Sequence, residues 1–224
     1  RSYPRPARPP IMGAIQLSYG IPSMFLAPLR RLRLLAAGVL AAGLLAGCGE
    51  HAPSFHATDI TGADYGKSLA LTDHQGQPRT IESFRGKVVT LFFGYTQCPD
   101  VCPTSLSAMS EVMRQLGADA DRVQVLFVTV DPERDTLELL AEYVPVFDPR
   151  FLGLHGSPER IAEVAKEFRI FYRKSGDIGG QYTIDHSAGT YVFDPEGRLR
   201  LYVRYGETPE NLAADIRTLL AGSR

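Results

Sequence analysis

Two stretches of almost continuous apolar residues stand out along the chain, at positions 87–95 and 123–130. Both are rich in β-branched and aromatic residues, which is typical of strands buried on both faces of a sheet. Between them, apolar residues recur every three or four positions, at Leu106, Met109, Val112, Met113 and Leu116. This spacing predicts a helix over 104–116 and therefore a β-α-β unit.

Other elements are predicted on both sides of this unit. Short strands at 69–72 and 80–81 flank the turn Gln75-Gly76-Gln77-Pro78 and predict an opening hairpin. Apolar residues at helical spacing predict two further helices, at 137–143 and 158–168.

The C-terminal part repeats the hairpin pattern. Apolar runs at 190–193 and 199–205 bracket Asp194-Pro195-Glu196-Gly197, a strong turn signal, and a last helix is predicted at 209–220. Strands that alternate with helices indicate an α/β fold, with a central sheet flanked by helices and an N-terminal hairpin. The order of elements fits a thioredoxin-like core.

The N-terminal region has a different pattern. Arg30, Arg31 and Arg33 precede an uncharged apolar run of 13 residues at 34–46, which ends in Leu45-Ala46-Gly47-Cys48. A membrane-spanning helix needs roughly 20 apolar residues, so the run is read as an export signal peptide. The small residues before Cys48 resemble a bacterial lipobox and predict lipidation of Cys48; the alternative is a plain signal peptide in which Cys48 is incidental.

These features divide the chain into four parts. Residues 1–23 contain no acidic residue and are expected to lie upstream of a true start at Met24. Residues 24–47 are the predicted lipoprotein signal peptide, 48–66 a polar tether and 67–224 one domain. The expected location is the bacterial cell envelope, with the domain in the periplasm and a lipid anchor in a membrane.

Charge excludes one class of function. Residues 1–47 hold six of the 24 basic residues and none of the 25 acidic ones, so their removal leaves a net charge of −7. A protein with this balance is not expected to bind the phosphate backbone of nucleic acid.

The sequence GYTQCPDVCP, residues 94–103, lies where a buried strand ends and a helix begins. The helix start favours thiolates at Cys98 and Cys102, and Pro99 and Pro103 restrict the turn that presents them. A structural disulfide closing so short a loop would contribute only about 2 kcal/mol. Three residues separate the cysteines, where thioredoxin-type redox motifs have two, so the spacing favours a metal site without excluding a redox pair.

Two thiolates and a neutral imidazole would suit a soft ion such as Cu(I). Among five histidines, His186 stands immediately before a predicted strand and could face the cysteine loop across the same end of the sheet. The other four histidines are most simply surface or packing residues: His51, His56, His74 and His155. A turn hydrogen bond is the competing role for His186.

Four segments together resemble the Sco/SenC family of copper proteins. They are 94–103, Val128-Thr129-Val130-Asp131-Pro132-Glu133-Arg134-Asp135-Thr136, Asp185-His186-Ser187 and Phe193-Asp194-Pro195-Glu196-Gly197. The likeness extends from about Phe55 to the C-terminus. It implies a thioredoxin-like fold that holds Cu(I), and in some members Cu(II), through Cys98, Cys102 and His186.

The resemblance also implies a function and partners. Family members serve assembly of the dinuclear copper centre in cytochrome c oxidase subunit II, either by passing copper or by reducing that subunit's cysteines. A copper donor protein and a thiol reductant are the further partners expected, and a metallochaperone would bind metal stoichiometrically without turnover. The alternative is an exported thiol-disulfide oxidoreductase or thiol peroxidase of the same fold.

Two acidic residues are secondary candidates. Asp131 follows the second buried strand and could orient a ligand near the metal. The competing role is that 131–136 forms the turn and N-cap of the next helix, with Asp135 or Thr136 capping. Asp185 has the same ambiguity.

Overall fold

The computed structural model describes residues 53–178 and 181–222. The predictions for residues 1–23 and 24–47, and the lipidation predicted at Cys48, therefore lie outside the described residues.

A mixed eight-stranded sheet forms the centre of the fold, in the order β1-β10-β9-β4-β5-β6-β2-β3. The strands β4, β5 and β6 are parallel, and the other pairs of this sheet are antiparallel. Strands β7 and β8 form a separate antiparallel hairpin. The strands are β1 Thr58–Asp59, β2 Leu71–Asp73, β3 Pro78–Arg79, β4 Val88–Gly94, β5 Val123–Thr129, β6 Leu152–His155, β7 Tyr172–Ile178, β8 Gln181–His186, β9 Thr190–Phe193 and β10 Leu199–Val203.

Four α-helices accompany the sheet in the described part of the chain: α1 Val101–Leu116, α2 Leu137–Tyr143, α3 Pro158–Glu167 and α4 Pro209–Ala221. Helix α1 packs against α4, and α2 packs against β6. Short 3-10 helices occupy Ile81–Phe84, Gly117–Arg122 and Val144–Val146.

The two predicted central strands form the core. Every residue of β4 and β5 is buried, as their continuous apolar sequences predict. On one face of the sheet the ring of Phe93 lies 5.5 Å from that of Phe168, and on the other face Phe92 lies 6.2 Å from Phe127. Because side chains on both faces of β4 and β5 are buried, both faces of the sheet are covered at these strands.

The structure differs from the sequence predictions at several elements. The opening hairpin is formed by β2 and β3, and Thr80 is the N-cap of a 3-10 helix and not part of a strand. The sequence pattern does not predict strands β6, β7 and β8. Helix α1 begins at Val101 and not at 104, which places Cys102 in its first turn.

Part of the predicted tether belongs to the folded unit. Strand β1 pairs with β10, and Ala57 is buried. The backbone N–H groups of His56 and Ala57 donate to the Asp215 carboxylate at 2.9 and 2.8 Å. The domain therefore begins before residue 67, because a short edge strand inside the polar segment completes the sheet.

No helix within the described ranges combines the length and apolar character needed to cross a membrane.

Candidate metal centre

The two cysteines differ in position and exposure. Cys98 lies in the loop after β4 and is partly exposed, whereas Cys102 lies in the first turn of α1 and is fully buried. The backbone N–H of Cys102 approaches the Cys98 sulfur at 3.4 Å, and the Cys98 N–H donates to the Tyr95 carbonyl at 3.2 Å. Both are free thiols, arranged around one turn of backbone.

His186 is the last residue of β8, and its ring approaches the buried sulfur. The distance from its Nε2 to the Cys102 Sγ is 3.4 Å, across 84 residues of sequence. Its Nδ1 lies 2.9 Å from the carbonyl oxygen of Ser187. Because a carbonyl can only accept, Nδ1 carries the proton and Nε2 directs its lone pair towards the sulfur. The hydrogen bond in the turn therefore uses Nδ1 and leaves Nε2 free for the predicted ligand role, so the two roles predicted for His186 are compatible.

The three predicted ligands converge on one point. One ligand atom each from Cys98, Cys102 and His186 lies within 4.8 Å of the others. Among the residues that the structure describes, this is the one group of three or more such side chains that could share an ion. Two sulfurs and one imidazole nitrogen match the ligand preference of Cu(I).

Burial sets the charge of the ligands before any metal binds. It raises the pKa of the Cys102 thiol, and the contact with Cys98 acts in the same direction. The prediction that the helix start favours a thiolate is therefore wrong for Cys102 in the metal-free protein, because burial outweighs the effect of the helix start. Burial lowers the pKa of His186, so the imidazole is neutral at pH 7 and available as a ligand. A metal ion that binds here must displace the Cys102 proton, since thiolate is the form that coordinates metals.

Two aromatic rings from β4 and the residue after it lie beside the His186 ring. The ring of Tyr95 lies 5.9 Å from the His186 ring, and that of Phe92 lies 6.1 Å from it, both edge-on. The Tyr95 hydroxyl accepts a hydrogen bond from the Ile184 backbone N–H at 3.1 Å. Tyr95 therefore joins the end of β4 to the strand that carries His186.

Neither acidic candidate belongs to the group of side chains that could share a metal ion. The Asp131 carboxylate accepts hydrogen bonds from the Tyr182 hydroxyl at 2.7 Å and from the Arg134 guanidinium. Asp185 is exposed and pairs with Arg173 at 3.5 Å. Asp131 thus contacts Tyr182 of the strand that carries His186, whereas Asp185 lies on the surface of the hairpin.

The turn between β5 and α2 contains both a cap and an anchor. Thr136 is the N-cap of α2 and accepts from the Leu139 N–H at 3.2 Å, as one of the two capping alternatives predicts. Asp135 is fully buried and accepts from the hydroxyls of Thr96 and Thr129, each at 2.6 Å. Asp135 therefore fastens the cysteine loop to β5, a role that its sequence position beside a cap does not reveal.

Two of the remaining histidines have structural contacts. The His74 Nδ1 accepts from the Gly153 N–H at 3.0 Å, and the His155 Nε2 lies 3.2 Å from the Pro132 carbonyl. Both contacts agree with the prediction that these histidines are surface or packing residues. His51 lies outside the described residues.

Comparison with known proteins finds one family model and several similar proteins. The family model described as SCO1/SenC matches residues 57–221. The chain is similar to the protein SCO2 homolog, mitochondrial, of Bos taurus, with 42% identity over 159 residues, which cover 70% of this chain and 60% of that protein. The human SCO2 homolog is 39% identical over 69% of this chain and 59% of its own length. The chain thus spans about 60% of the length of these relatives.

Solved structures agree with this assignment. The structure of Bradyrhizobium japonicum ScoI with copper bound is 44% identical, with a TM-score of 0.65 over 70% of this chain and 99% of that one. Yeast Sco1 with copper bound is 29% identical, with a TM-score of 0.64 over 70% of this chain and 88% of that one. They confirm the predicted thioredoxin-like α/β fold. With a matching family model over most of the domain, the chain belongs to the SCO1/SenC family.

Proposed function

We propose that this chain binds one Cu(I) ion through the Cys98 and Cys102 sulfurs and the His186 Nε2. We propose further that it serves assembly of the dinuclear copper centre in cytochrome c oxidase subunit II. The observation that carries the proposal is the convergence of these three ligand atoms within 4.8 Å of one another. Two similar chains, ScoI and yeast Sco1, have structures with copper bound, which supports the same cargo here.

Differences in exposure suggest the order of ligand exchange. Copper is the cargo, and thiolates of an acceptor displace the chain's ligands one at a time. Cys98 is partly exposed, so an incoming thiolate meets its side of the ion first, whereas Cys102 is fully buried. Cys102 is therefore the last ligand to be released, and copper is never free in water.

A second version uses the cysteines as a reductant. Cys98 is the accessible thiol and would attack a disulfide of the target, after which Cys102 would resolve the mixed disulfide. This version consumes the two thiols and needs a thiol reductant to restore them. His186 has no part in it, which separates the two versions experimentally.

The sequence pattern of the N-terminal region supports a membrane-anchored form. An acyl chain on Cys48 would hold the domain in the periplasm beside a membrane-bound oxidase and raise its local concentration there. A copper donor protein is the further partner that this function requires. Mass spectrometry of the protein from a bacterial membrane fraction tests the anchor: a diacylglyceryl adduct on Cys48 is expected, and an unmodified residue overturns it.

The first test is copper stoichiometry and affinity. Fully reduced protein is titrated with Cu(I) against a competing chelator, alongside Cys98→Ser, Cys102→Ser and His186→Ala variants. One equivalent bound tightly by the wild type and weakened in all three variants is the expected result. A wild type that binds no copper yet reduces disulfides would overturn the copper site in favour of the oxidoreductase alternative.

The second test separates transfer from reduction in cells. A strain that lacks this protein is complemented with wild type or His186→Ala, and the copper content of oxidase subunit II is measured. The transfer version predicts that His186→Ala leaves subunit II without copper. Full copper loading by His186→Ala would overturn transfer and favour the reductive version.

A further inference from the structure

The strand that carries His186 is not part of the central sheet. Strands β7 and β8 pair with each other in a sheet of their own. Position Tyr172 pairs with His186 at the base of this hairpin, and the backbone of Ser187 donates to the Phe171 carbonyl at 2.9 Å. Main-chain pairing therefore fixes the hairpin internally, and other contacts must set its distance from the cysteines.

One side chain touches both the hairpin and the cysteine loop. The Arg134 guanidinium donates from Nη1 to the Tyr182 carbonyl at 2.9 Å and to the Gln97 side chain at 3.1 Å. Its central carbon lies 3.6 Å from the centroid of the Tyr182 ring and 5.8 Å from that of Tyr95. Tyr182 belongs to β8, while Gln97 directly precedes Cys98.

A buried carboxylate holds this arginine in place. Asp131 is 1% exposed and accepts from the Arg134 Nε. Its other oxygen accepts from the Tyr182 hydroxyl at 2.7 Å. Because one carboxylate, two residues after the end of β5, accepts from both donors, it fixes the guanidinium and the tyrosine relative to the sheet.

We propose that Asp131, Arg134, Tyr182 and Gln97 form a clasp that positions His186 against the two cysteines. The proposal rests on the copper-binding function proposed above. Arg134 is a positioning residue, because it does not contact the three proposed ligands themselves. It contacts Gln97, which precedes Cys98, and Tyr182 on β8. Without the clasp, Cys98 stays in the loop after β4 and Cys102 in the first turn of α1, while the hairpin holds the imidazole at the ion for a smaller fraction of the time.

Arginine is suited to this role in a way that lysine is not. The planar guanidinium donates in several directions at once and stacks on an aromatic face, whereas an ammonium is a point charge. Arg134→Lys is therefore expected to retain only part of the Cu(I) affinity that is lost in Arg134→Ala.

A double-mutant cycle tests whether Arg134 acts through His186. Cu(I) dissociation constants are measured by chelator competition for four full-length proteins: wild type, Arg134→Ala, His186→Ala and the double variant. In the wild-type background Arg134→Ala is expected to weaken binding about 10- to 100-fold, as is usual when the support of a ligating histidine is lost. In the His186→Ala background the same change is expected to alter the constant by less than about twofold.

A matched arginine elsewhere controls for general destabilisation. Arg79 pairs through its Nε with the buried carboxylate of Asp73 at 2.7 Å, on an edge strand of the sheet. Arg79→Ala should lower the denaturant midpoint of unfolding without changing the Cu(I) dissociation constant. If Arg134→Ala does not fold, Tyr182→Phe replaces it, since that change removes only the hydroxyl that donates to Asp131.

The outcomes separate this proposal from the one on which it rests. An unchanged dissociation constant in His186→Ala overturns the copper site. With His186→Ala weakened as expected, an equal loss on Arg134→Ala in both backgrounds overturns the clasp and leaves the copper site standing. The clasp is also overturned if Arg134→Ala and Tyr182→Phe both bind copper as the wild type does.

Discussion

The Cβ atom that Gly94 lacks would lie 2.8 Å from the sulfur of Cys102. The same atom would lie 2.8 Å from the ring of Phe127, which is buried on the neighbouring strand. Both neighbours are held by the core, so a side chain at position 94 can be accommodated only by moving the ligand sulfur or the ring. Glycine at the end of β4 is therefore a condition for the position of Cys102.

Gly94→Ala is expected to impair copper binding. Overpacking of a well-filled core costs about 1–3 kcal/mol of unfolding free energy. The displaced Cys102 sulfur should also raise the Cu(I) dissociation constant, by about tenfold or more if it acts like other disturbances around metal ligands. Chelator competition and denaturant unfolding measure the two effects.

Gly153→Ala is the matched control for this substitution. Its Cβ would lie 3.0 Å from the Leu140 Cβ and 3.1 Å from a methyl of Val144, in a crowded place on β6. A loss of stability with unchanged copper affinity is expected here. Equal losses of affinity in both variants would contradict a specific role for Gly94.

The two thiols should react with alkylating agents at different rates. In reduced, metal-free protein, iodoacetamide should modify Cys98 first, because it is partly exposed while Cys102 is fully buried with a raised pKa. A difference on the order of tenfold or more is expected from the dependence of reactivity on access and on thiolate. Peptide mass spectrometry at timed intervals measures it.

Bound copper provides the control for this experiment. An equivalent of Cu(I) should protect both thiols in the wild type, since both sulfurs are then ligands. Labelling of Cys102 ahead of Cys98 would contradict the difference in burial on which the order of ligand exchange depends.

The sequence predicts the cysteine side of the site well and the histidine side poorly. Strands β4 and β5 are continuous apolar runs and α1 has helical spacing, so their mutual arrangement follows from general rules for parallel sheets. The hairpin of β7 and β8 is largely polar at its described positions, and its two strands pair only with each other. Its placement beside the cysteines depends on contacts far away in sequence, such as that of Arg134 with Tyr182. No local sequence pattern predicts such an element.

The same reason explains why the link between Arg134 and the hairpin could not be predicted. In sequence, residues 131–136 are typical of a turn followed by a helix cap, and Thr136 has that role. The contact of Arg134 with Tyr182 spans 48 residues and exists only because the hairpin folds back over this turn. Family resemblance identified His186, whereas residues that hold it in place required the structure.

Asp73 should make stability dependent on pH. Burial acts to raise the pKa of this carboxyl, but hydrogen bonds from the N–H of Gln77, the Arg79 side chain and the N–H of Gln75 outweigh it and lower the pKa. A lowered folded-state pKa contributes stability above the unfolded value of about 3.9, which is lost as pH falls through the folded value. Asp73→Asn should therefore cost about 1–3 kcal/mol at pH 7 and progressively less below about pH 4.

Denaturant unfolding of wild type and Asp73→Asn at neutral and acid pH measures this difference. Asp59→Asn is a suitable control, because that carboxylate accepts an exposed hydrogen bond from the Thr61 N–H. If the difference in unfolding free energy between wild type and Asp73→Asn stayed constant with pH, the loss of stability would come from the altered side-chain shape and not from the lost charge.

Two buried threonines should respond in opposite ways to replacement by valine. Thr90 on β4 is 1% exposed, and its hydroxyl has no hydrogen-bond partner among the described residues. Its cross-strand neighbours are Val125 and Val192, so valine suits the site in shape and chemistry. Thr90→Val removes an unpaired polar group and should raise the free energy of unfolding by about 1 kcal/mol.

Thr129 on β5 is equally buried, but its hydroxyl donates to Asp135 at 2.6 Å and accepts from the Asp131 N–H at 2.9 Å. Thr129→Val leaves both groups without this partner and should lower the free energy of unfolding by about 1–3 kcal/mol. Chemical denaturation of the two variants under one set of conditions compares them directly. A loss of stability in Thr90→Val as large as in Thr129→Val would mean that the Thr90 hydroxyl has a partner in solution. Because Asp135 also fastens Thr96 in the cysteine loop, Thr129→Val alone should weaken Cu(I) binding as well.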